Sequence, residues 1–370
     1  MIRIGLVGSG HIGTVHAYAL QQLADADLVD ARLVATFDDD PVRAARVARH
    51  HGGEPAASLE SLLDTVDVVW VCTWTAGHLG AVEAAADRGM PIFCEKPLAP
   101  SYADCERVAA ALERVPHQVG LVLRSSPVYR AAAEVVASGT YGRPLATIMR
   151  DDQYFPIQGM YASTWRGDVA SAGGGTLIEH SIHDVDVLRW LHGDPVTVSA
   201  RTTCNYGHVG IEDTAALTLA YAGGSVATLT SVWHQVLSRE SSRRLEVFLD
   251  DALLWTDDDY LGPLHVQTTD GVRTVEGEPP EWASRFTVPE VFANAIAHYA
   301  EPSKAFLDAL SSSGPAATGH PGAVEALAAH RIVDVAYQSA RSDGTTLRIA
   351  PEGADQIADE TPAAARETNP

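Results

Sequence analysis

From residue 1 to about 122, short apolar runs of β type alternate with stretches in which apolar positions recur every three to four residues. The runs are IRIGLVG, ARLVATF, VDVVWVCT, PIFC and HQVGLVL. Between them lie a helix from about His11 and helical stretches through VRAARVARHH, LGAVEAAADRG and DCERVAAALERV. Such alternation predicts βαβ units, and hence a parallel sheet with helices on both faces. After about residue 123 the pattern changes. Helices are predicted near 127–138, 173–192 and 287–300, among β-type segments such as PLATIMRDDQYF, VTVSARTTC, TAALTLAYA, GSVATLTSVWH and RRLEVFLDD. Consecutive strands joined by turns as short as AGG imply antiparallel pairing, so residues 123–350 read as an α+β unit with a large, open, mainly antiparallel sheet. A late helix, GAVEALAAHRIVDVAYQSARS, closes the folded part. Residues 351–370 are rich in Pro, Ala and acids without apolar periodicity, and read as a disordered tail.

Composition narrows the picture. A chain of 370 residues with 46% hydrophobic and 20% charged positions suits two globular domains, here 1–122 and 123–350. The formal net charge of −22 repels phosphate backbones and anionic lipid surfaces, which argues against nucleic acid or membrane as partners. The N-terminal apolar run is too short for a membrane span and lacks the features of a signal peptide, so a cytoplasmic protein is expected. The cysteines at 72, 94, 105 and 204 have no metal-ligand spacing and read as small buried hydrophobes without disulfides.

GLVGSGHIG places Gly8, Gly10 and Gly13 in G-x-G-x-x-G spacing between the first strand and the first helix, with His11 and Ile12 inside the motif. The first glycine allows the tight turn, the second lets backbone approach a pyrophosphate, and the third lets helix pack close to strand; the helix N-terminus then meets the anion. The second strand ends at Asp38, where a carboxylate accepts from ribose hydroxyls. Acids at 38, 39 and 40 would repel a ribose phosphate and no arginine follows at once, which favours NAD over NADP. Glu95, Lys96 and Pro97 fall at the carboxyl end of the fifth strand, on the ligand side of such a sheet. A lysine there can donate to a substrate oxygen. In GGGTLIEHSIHDVD a flexible glycine entry leads into a helix on which Glu179, His183 and Asp186 share one face, a carboxylate beside an imidazole as a general base needs.

These motifs, with CTWTAGH (Thr73, Trp74, His78), STWRGD and the late FLDAL and YQSA, resemble in their order the Gfo/Idh/MocA oxidoreductases, a family that includes glucose-fructose oxidoreductases and inositol dehydrogenases. The resemblance spans roughly residues 1–345. It implies a Rossmann domain, a C-terminal α+β domain whose sheet forms dimer or tetramer contacts, a catalytic Lys96 often followed by a cis peptide, and an acid and an acid/base histidine at Glu179 and His183. Two departures stand out: the family usually has Asp at the position of Glu179, and T-P-N where this chain has Thr73, Trp74 and Thr75.

The expected activity is transfer of a hydride between NAD and a secondary alcohol of a sugar, inositol or related polyol. His183 would take the hydroxyl proton, Lys96 would stabilise the alkoxide and Glu179 would set the imidazole. Arg124, Tyr154, Trp165, Arg166 and His234 are candidates for the substrate pocket. Three other readings stay open at this level. They are a redox-assisted glycoside hydrolase with retained NAD, a non-catalytic NAD-binding regulator, and a weak metal site on Glu179, His180, His183 and Asp186, against which helical geometry argues because the four cannot converge.

Overall fold

The computed structural model describes residues 1–312 and 320–350; the tail expected at 351–370 lies outside the described residues. Strands β1 (Ile2–Val7), β2 (Ala31–Phe37), β3 (Glu54–Pro55), β4 (Val68–Val71), β5 (Ile92–Cys94) and β6 (His117–Val119) form one parallel sheet in the order β3-β2-β1-β4-β5-β6. Helices α1 (His11–Asp25), α2 (Pro41–His51), α3 (Leu59–Leu63), α4 (His78–Ala86) and α5 (Tyr102–Leu112) connect them. β4 is buried along its whole length, as an inner strand covered on both faces must be, which is why VDVVWV reads as continuous rather than alternating. β3 and α3, two and five residues long, left no mark in the apolar pattern, because elements that short carry no period. The strand order reverses between β1 and β4, and the crevice this leaves at the carboxyl ends is where open α/β sheets hold ligands.

The second half contains α6 (Pro127–Ala137), β7 (Pro144–Tyr154), α7 (Val169–Ala172), α8 (Thr176–Glu179), α9 (Ile182–His192), β8 (Pro195–Thr203), β9 (Thr214–Tyr221), β10 (Val226–His234), β11 (Ser242–Leu249), β12 (Leu253–Thr256), β13 (Leu264–Thr268), β14 (Gly271–Val275), α10 (Glu290–Ser311), α11 (Ala323–Arg341) and β15 (Leu347–Arg348). Its nine strands lie in the order β14-β13-β12-β11-β7-β10-β9-β8-β15. Every neighbour is antiparallel except β10 on β7, which pair in parallel from Val226 with Ala146 to His234 with Tyr154. β10 alternates strictly, with Ala227, Leu229, Ser231 and Trp233 turned inward. The inner face packs on α6, α9 and α11 around Leu177, Ile182, Val185, Leu229, Leu245 and Ile332. Each fully buried Leu or Ile contributes about 1.5–3 kcal/mol. The other face keeps Ile148, Val226 and Phe248 at 47%, 43% and 37% exposure.

Two expectations are corrected. The helix expected over 173–192 is broken: α8 stops at Glu179, and α9 begins at Ile182 after His180 and Ser181. The helix expected to end near 300 runs on through Pro302 to Ser311 and packs along α1. Phe306 and Leu307 thereby join Ile4, Leu6, Trp70 and Phe93 in one core, and Ala323 and Ala326 of α11 join Val108 and Leu112 of α5 in another.

Candidate active site

The crevice at β1 and β4 opens into a cavity of about 380 Å³ shared by both halves of the chain. Its first wall is the glycine turn. A Cβ on Gly13 would lie 2.0 Å from the Gly8 carbonyl oxygen, so only glycine lets α1 start this close to β1. At Gly10 a Cβ would meet nothing within 4 Å, so the backbone there faces open space. Gly10 also caps α1 with no side-chain hydrogen bond, leaving the first-turn N–H groups to a ligand. Asp38 accepts from Ser9 N at 2.7 Å and Asp40 N at 2.9 Å, which holds its carboxylate beside this turn. These features fit a dinucleotide: a bare helix start for the pyrophosphate, a ribose acceptor, and room. Arg43, not anticipated, reaches the same wall, with Nε 3.3 Å from Asp40 Oδ2.

The second wall follows β5. Glu95 is buried, accepts at 2.8 Å from His16 Nε2 and at 3.1 Å from Lys96 N, and presses so closely on Gly120 that a Cβ there would lie 2.5 Å from its Oε1. Burial pushes Glu95 up, but the His16 hydrogen bond and charge, with Lys96, bring it below the usual carboxylate range. The Lys96–Pro97 peptide is cis. The Lys96 ammonium donates to the Glu179 carbonyl oxygen at 2.8 Å. Burial lowers its pKa, against the pull of Glu179 and Glu95. From behind, His330 Nε2 accepts from Leu98 N at 2.9 Å and His78 Nδ1 lies 2.7 Å from the Pro97 carbonyl. His78 is therefore a support for this loop and does not line the cavity.

The third wall is the glycine run and the broken helix. The three glycines are a packing requirement and not the flexible entry expected: Cβ atoms on Gly173, Gly174 and Gly175 would come to 2.3 Å from Pro100 O, 2.4 Å from the Tyr337 hydroxyl and 1.8 Å from Glu212 O. Glu212, which no motif pointed to, accepts from Gly175 N at 2.7 Å, Leu177 N at 2.9 Å and the Tyr337 hydroxyl at 2.9 Å. It fixes the start of α8. The break after Glu179 changes what that residue does. Its Oε1 accepts from Thr75 Oγ1 at 2.5 Å and its Oε2 from Arg166 Nε at 2.9 Å, so the carboxylate is engaged by these two rather than by His183. His183 faces the cavity with a buried Nδ1 that has no hydrogen-bond partner among the described residues. Burial, with Lys96 and Arg243 nearby, holds its imidazole well below the ordinary value and thus neutral at pH 7. Asp186, expected on the same face, instead takes Arg124 in two hydrogen bonds of 2.7 Å.

Of the expected residues, Gly8, Gly10, His11, Ile12, Asp38, Thr73, Trp74, Glu95, Lys96, Trp165, Arg166, Glu179 and His183 line this one cavity. Arg124 does not, being committed to Asp186. Tyr154 and His234 do not either: the Tyr154 hydroxyl accepts from Met160 N at 3.2 Å and its ring packs on Tyr161, while His234 Nδ1 accepts from Val236 N at 3.1 Å. Arg166 stacks over the Trp165 ring, 4.4 Å from its centroid. Unanticipated lining residues include Tyr161, Arg243, Asp259 and His298, and His180, considered only as a metal ligand, lines the cavity as well. Arg243 is 6% exposed and reaches three carboxylates, Asp184 at 2.9 Å, Asp259 at 2.8 Å and Asp151 at 3.4 Å. Nothing in SSRRLE marked it, because its partners come from β7, α9 and a loop distant in sequence. All four cysteines are free; Cys204 is exposed, against the expectation that all would be buried. Among the described residues no three or more His, Cys, Asp or Glu side chains are grouped to hold a metal ion, and no helix is long and apolar enough to cross a membrane.

Fold and site together define a dehydrogenase with a nicotinamide-cofactor domain set against an α+β domain. Residues 2–122 match the oxidoreductase family with an NAD-binding Rossmann fold, and residues 129–254 match the GFO/IDH/MocA C-terminal domain. An inositol 2-dehydrogenase of Rhizobium meliloti (strain 1021) is 30% identical over 355 residues, covering 91% of this chain and 96% of that protein. The chain belongs to the Gfo/Idh/MocA oxidoreductase family. The same fold is seen in an oxidoreductase domain protein from Kribbella flavida (TM-score 0.82, 23% identity, 95% of this chain and 100% of that one). It is seen again in a levoglucosan dehydrogenase in complex with NADH and levoglucosan (TM-score 0.81, 21% identity, 95% and 100%).

Proposed function

We propose that this oxidoreductase acts on a secondary alcohol of an inositol, sugar or related polyol, with NAD favoured over NADP. The single observation that carries this reading is the convergence of Lys96, Glu179 and His183 on the cavity that begins at the open Gly10 turn. Residues 1–122 hold the cofactor and 123–350 the substrate. Asp38 supports NAD, since its carboxylate suits ribose hydroxyls and opposes a ribose phosphate. Bound NAD supplies the hydride acceptor, and the protein supplies placement and proton handling. Neutral His183 takes the proton of the reacting hydroxyl. Lys96, pinned by the Glu179 carbonyl, donates to the oxygen as negative charge grows. Glu179 is a positioning residue that holds Arg166 and Lys96 against the substrate. The protein works in the cytoplasm as a dimer or tetramer joined through the exposed face of the nine-stranded sheet.

The test is near-ultraviolet absorbance of reduced nicotinamide, with NAD and NADP in turn, across inositols, aldoses, sugar acids and their phosphates. A signal with NAD that falls about 100-fold or more in His183→Ala and in Lys96→Ala is the expected result. Silence across the panel with NAD shown to be bound would overturn the dehydrogenase reading, and a stronger signal with NADP would overturn the cofactor assignment.

A further inference from the structure

Four histidines line the cavity, His11, His180, His183 and His298, and two of them, His180 and His183, flank the helix break. His180 sits in the break between α8 and α9, with its side chain 13% exposed. Ser181 pins that break: its hydroxyl donates to Asp151 Oδ2 at 2.9 Å and lies 2.6 Å from Ser231 Oγ. The same Asp151 oxygen lies 3.0 Å from His180 Nδ1, while neither Nδ1 nor Asp151 Oδ1 has a hydrogen-bond partner among the described residues. Hydrogen bonds in substrate sites are commonly loose before substrate is present. Nδ1 is the buried nitrogen, so Nε2 is the one left to the cavity. His183 has no such carboxylate behind it, because Glu179 serves Thr75 and Arg166. At the helix break, His180 is the histidine with a carboxylate close to its buried nitrogen.

Resting on the dehydrogenase reading above, we infer that His180 is a specificity residue: its Nε2 binds a second hydroxyl of the polyol, and Asp151 positions the ring for that contact. Burial and the cations Arg243, Lys96 and Arg166 keep the ring neutral, so it acts as a hydrogen-bonding group and not as a charge. An Nδ1 directed at Asp151 sets the ring's tautomer and leaves an acceptor at Nε2. A substrate with a single hydroxyl, placed on His183 and Lys96, would leave that acceptor buried and unpaired. Sites built to bond a hydroxyl reject analogues lacking it far more strongly than apolar pockets reject a missing methylene.

The probes are myo-inositol and its mono-deoxy analogues, or the polyol the panel above identifies and its own deoxy series. In the wild type one analogue retaining the reacting hydroxyl is expected to lose about 100-fold or more in kcat/KM. In His180→Leu the parent polyol's KM should rise about 10–100-fold, with a much smaller change in kcat, and discrimination against that analogue should fall below about tenfold. His180→Gln, which keeps a polar end, should recover part of the loss, and Asp151→Asn should move KM in the same direction as His180→Leu. NAD binding, followed by protein fluorescence, shows that each variant is folded. An active wild type whose His180 variants keep KM and discrimination overturns this assignment alone. A loss confined to kcat, with the acid limb of the pH profile gone, also overturns it, by making His180 a proton acceptor. A wild type that binds NAD and neither binds nor turns over any polyol overturns the dehydrogenase reading, and this inference with it.

Discussion

Glu179 and His183 are four residues apart and would touch on an unbroken helix; here the acid has other partners, and that difference can be measured. Glu179→Gln removes the charged partner of Arg166 and should lower kcat/KM about 10–100-fold while destabilising the protein by about 1–3 kcal/mol, read from activity and thermal unfolding. The acid limb of the pH profile should stay where it is, since the carboxylate does not touch the imidazole; a limb that moves would return Glu179 to the orienting role the motif suggests. Lys96 acts on His183 through charge. Removing it in Lys96→Ala takes away a cation that disfavours imidazolium, so the His183 titration, followed by NMR of labelled histidine, should move upward from its depressed position. At this scale the sequence was legible where a motif fixes both residue type and backbone, as at Gly13 and Lys96. It misled at Arg124, because no spacing rule announces that Asp186 would face it from α9.

Helices and loops carry the next level of control. His330 of α11 accepts from Leu98 N just beyond Lys96, so its Nε2 must be unprotonated; burial, with His78 adding to it, pushes the imidazole down to about 3. The unfolded chain has the ordinary value of about 6.5 and binds protons first as pH falls. Stability from this group is therefore full above about pH 6.5 and is lost progressively as pH drops toward 3, a contribution on the order of a few kcal/mol. Thermal unfolding between pH 7 and 4 should show the decline, and His330→Gln should flatten it. Glu212→Ala leaves two N–H groups at the start of α8 and the Tyr337 hydroxyl without their acceptor, and should cost about 2–5 kcal/mol in denaturant titration. Periodicity revealed α9 and α11 because their apolar stripes are long. It did not reveal the break at His180 and Ser181, since the apolar positions 178, 182 and 185 keep helical spacing through it. Ser181, Ser231 and Asp151 hold that break, and two of the three are remote in sequence.

For the whole molecule, the proposed assembly makes a direct prediction: Ile148→Asp or Phe248→Arg, on the exposed sheet face, should give a monomer by light scattering with the circular dichroism unchanged. The division into an α/β half and an open-sheet half was legible because alternation of strand and helix gives way to consecutive strands. The return of the late helices was not, since nothing local in FLDAL or GAVEAL says which earlier helix it will meet. Yet Phe306 and Leu307 complete the core on one face of the parallel sheet, and Ala323 and Ala326 cover α5 on the other. The order of synthesis follows from this. As the chain leaves the ribosome, its first 122 residues emerge with apolar flanks on α1 and α5 that stay uncovered until residues some two hundred positions later appear. A nascent chain halted near residue 125 should be protease-sensitive and bound by chaperones, whereas one halted with residue 341 outside the exit tunnel should resist digestion.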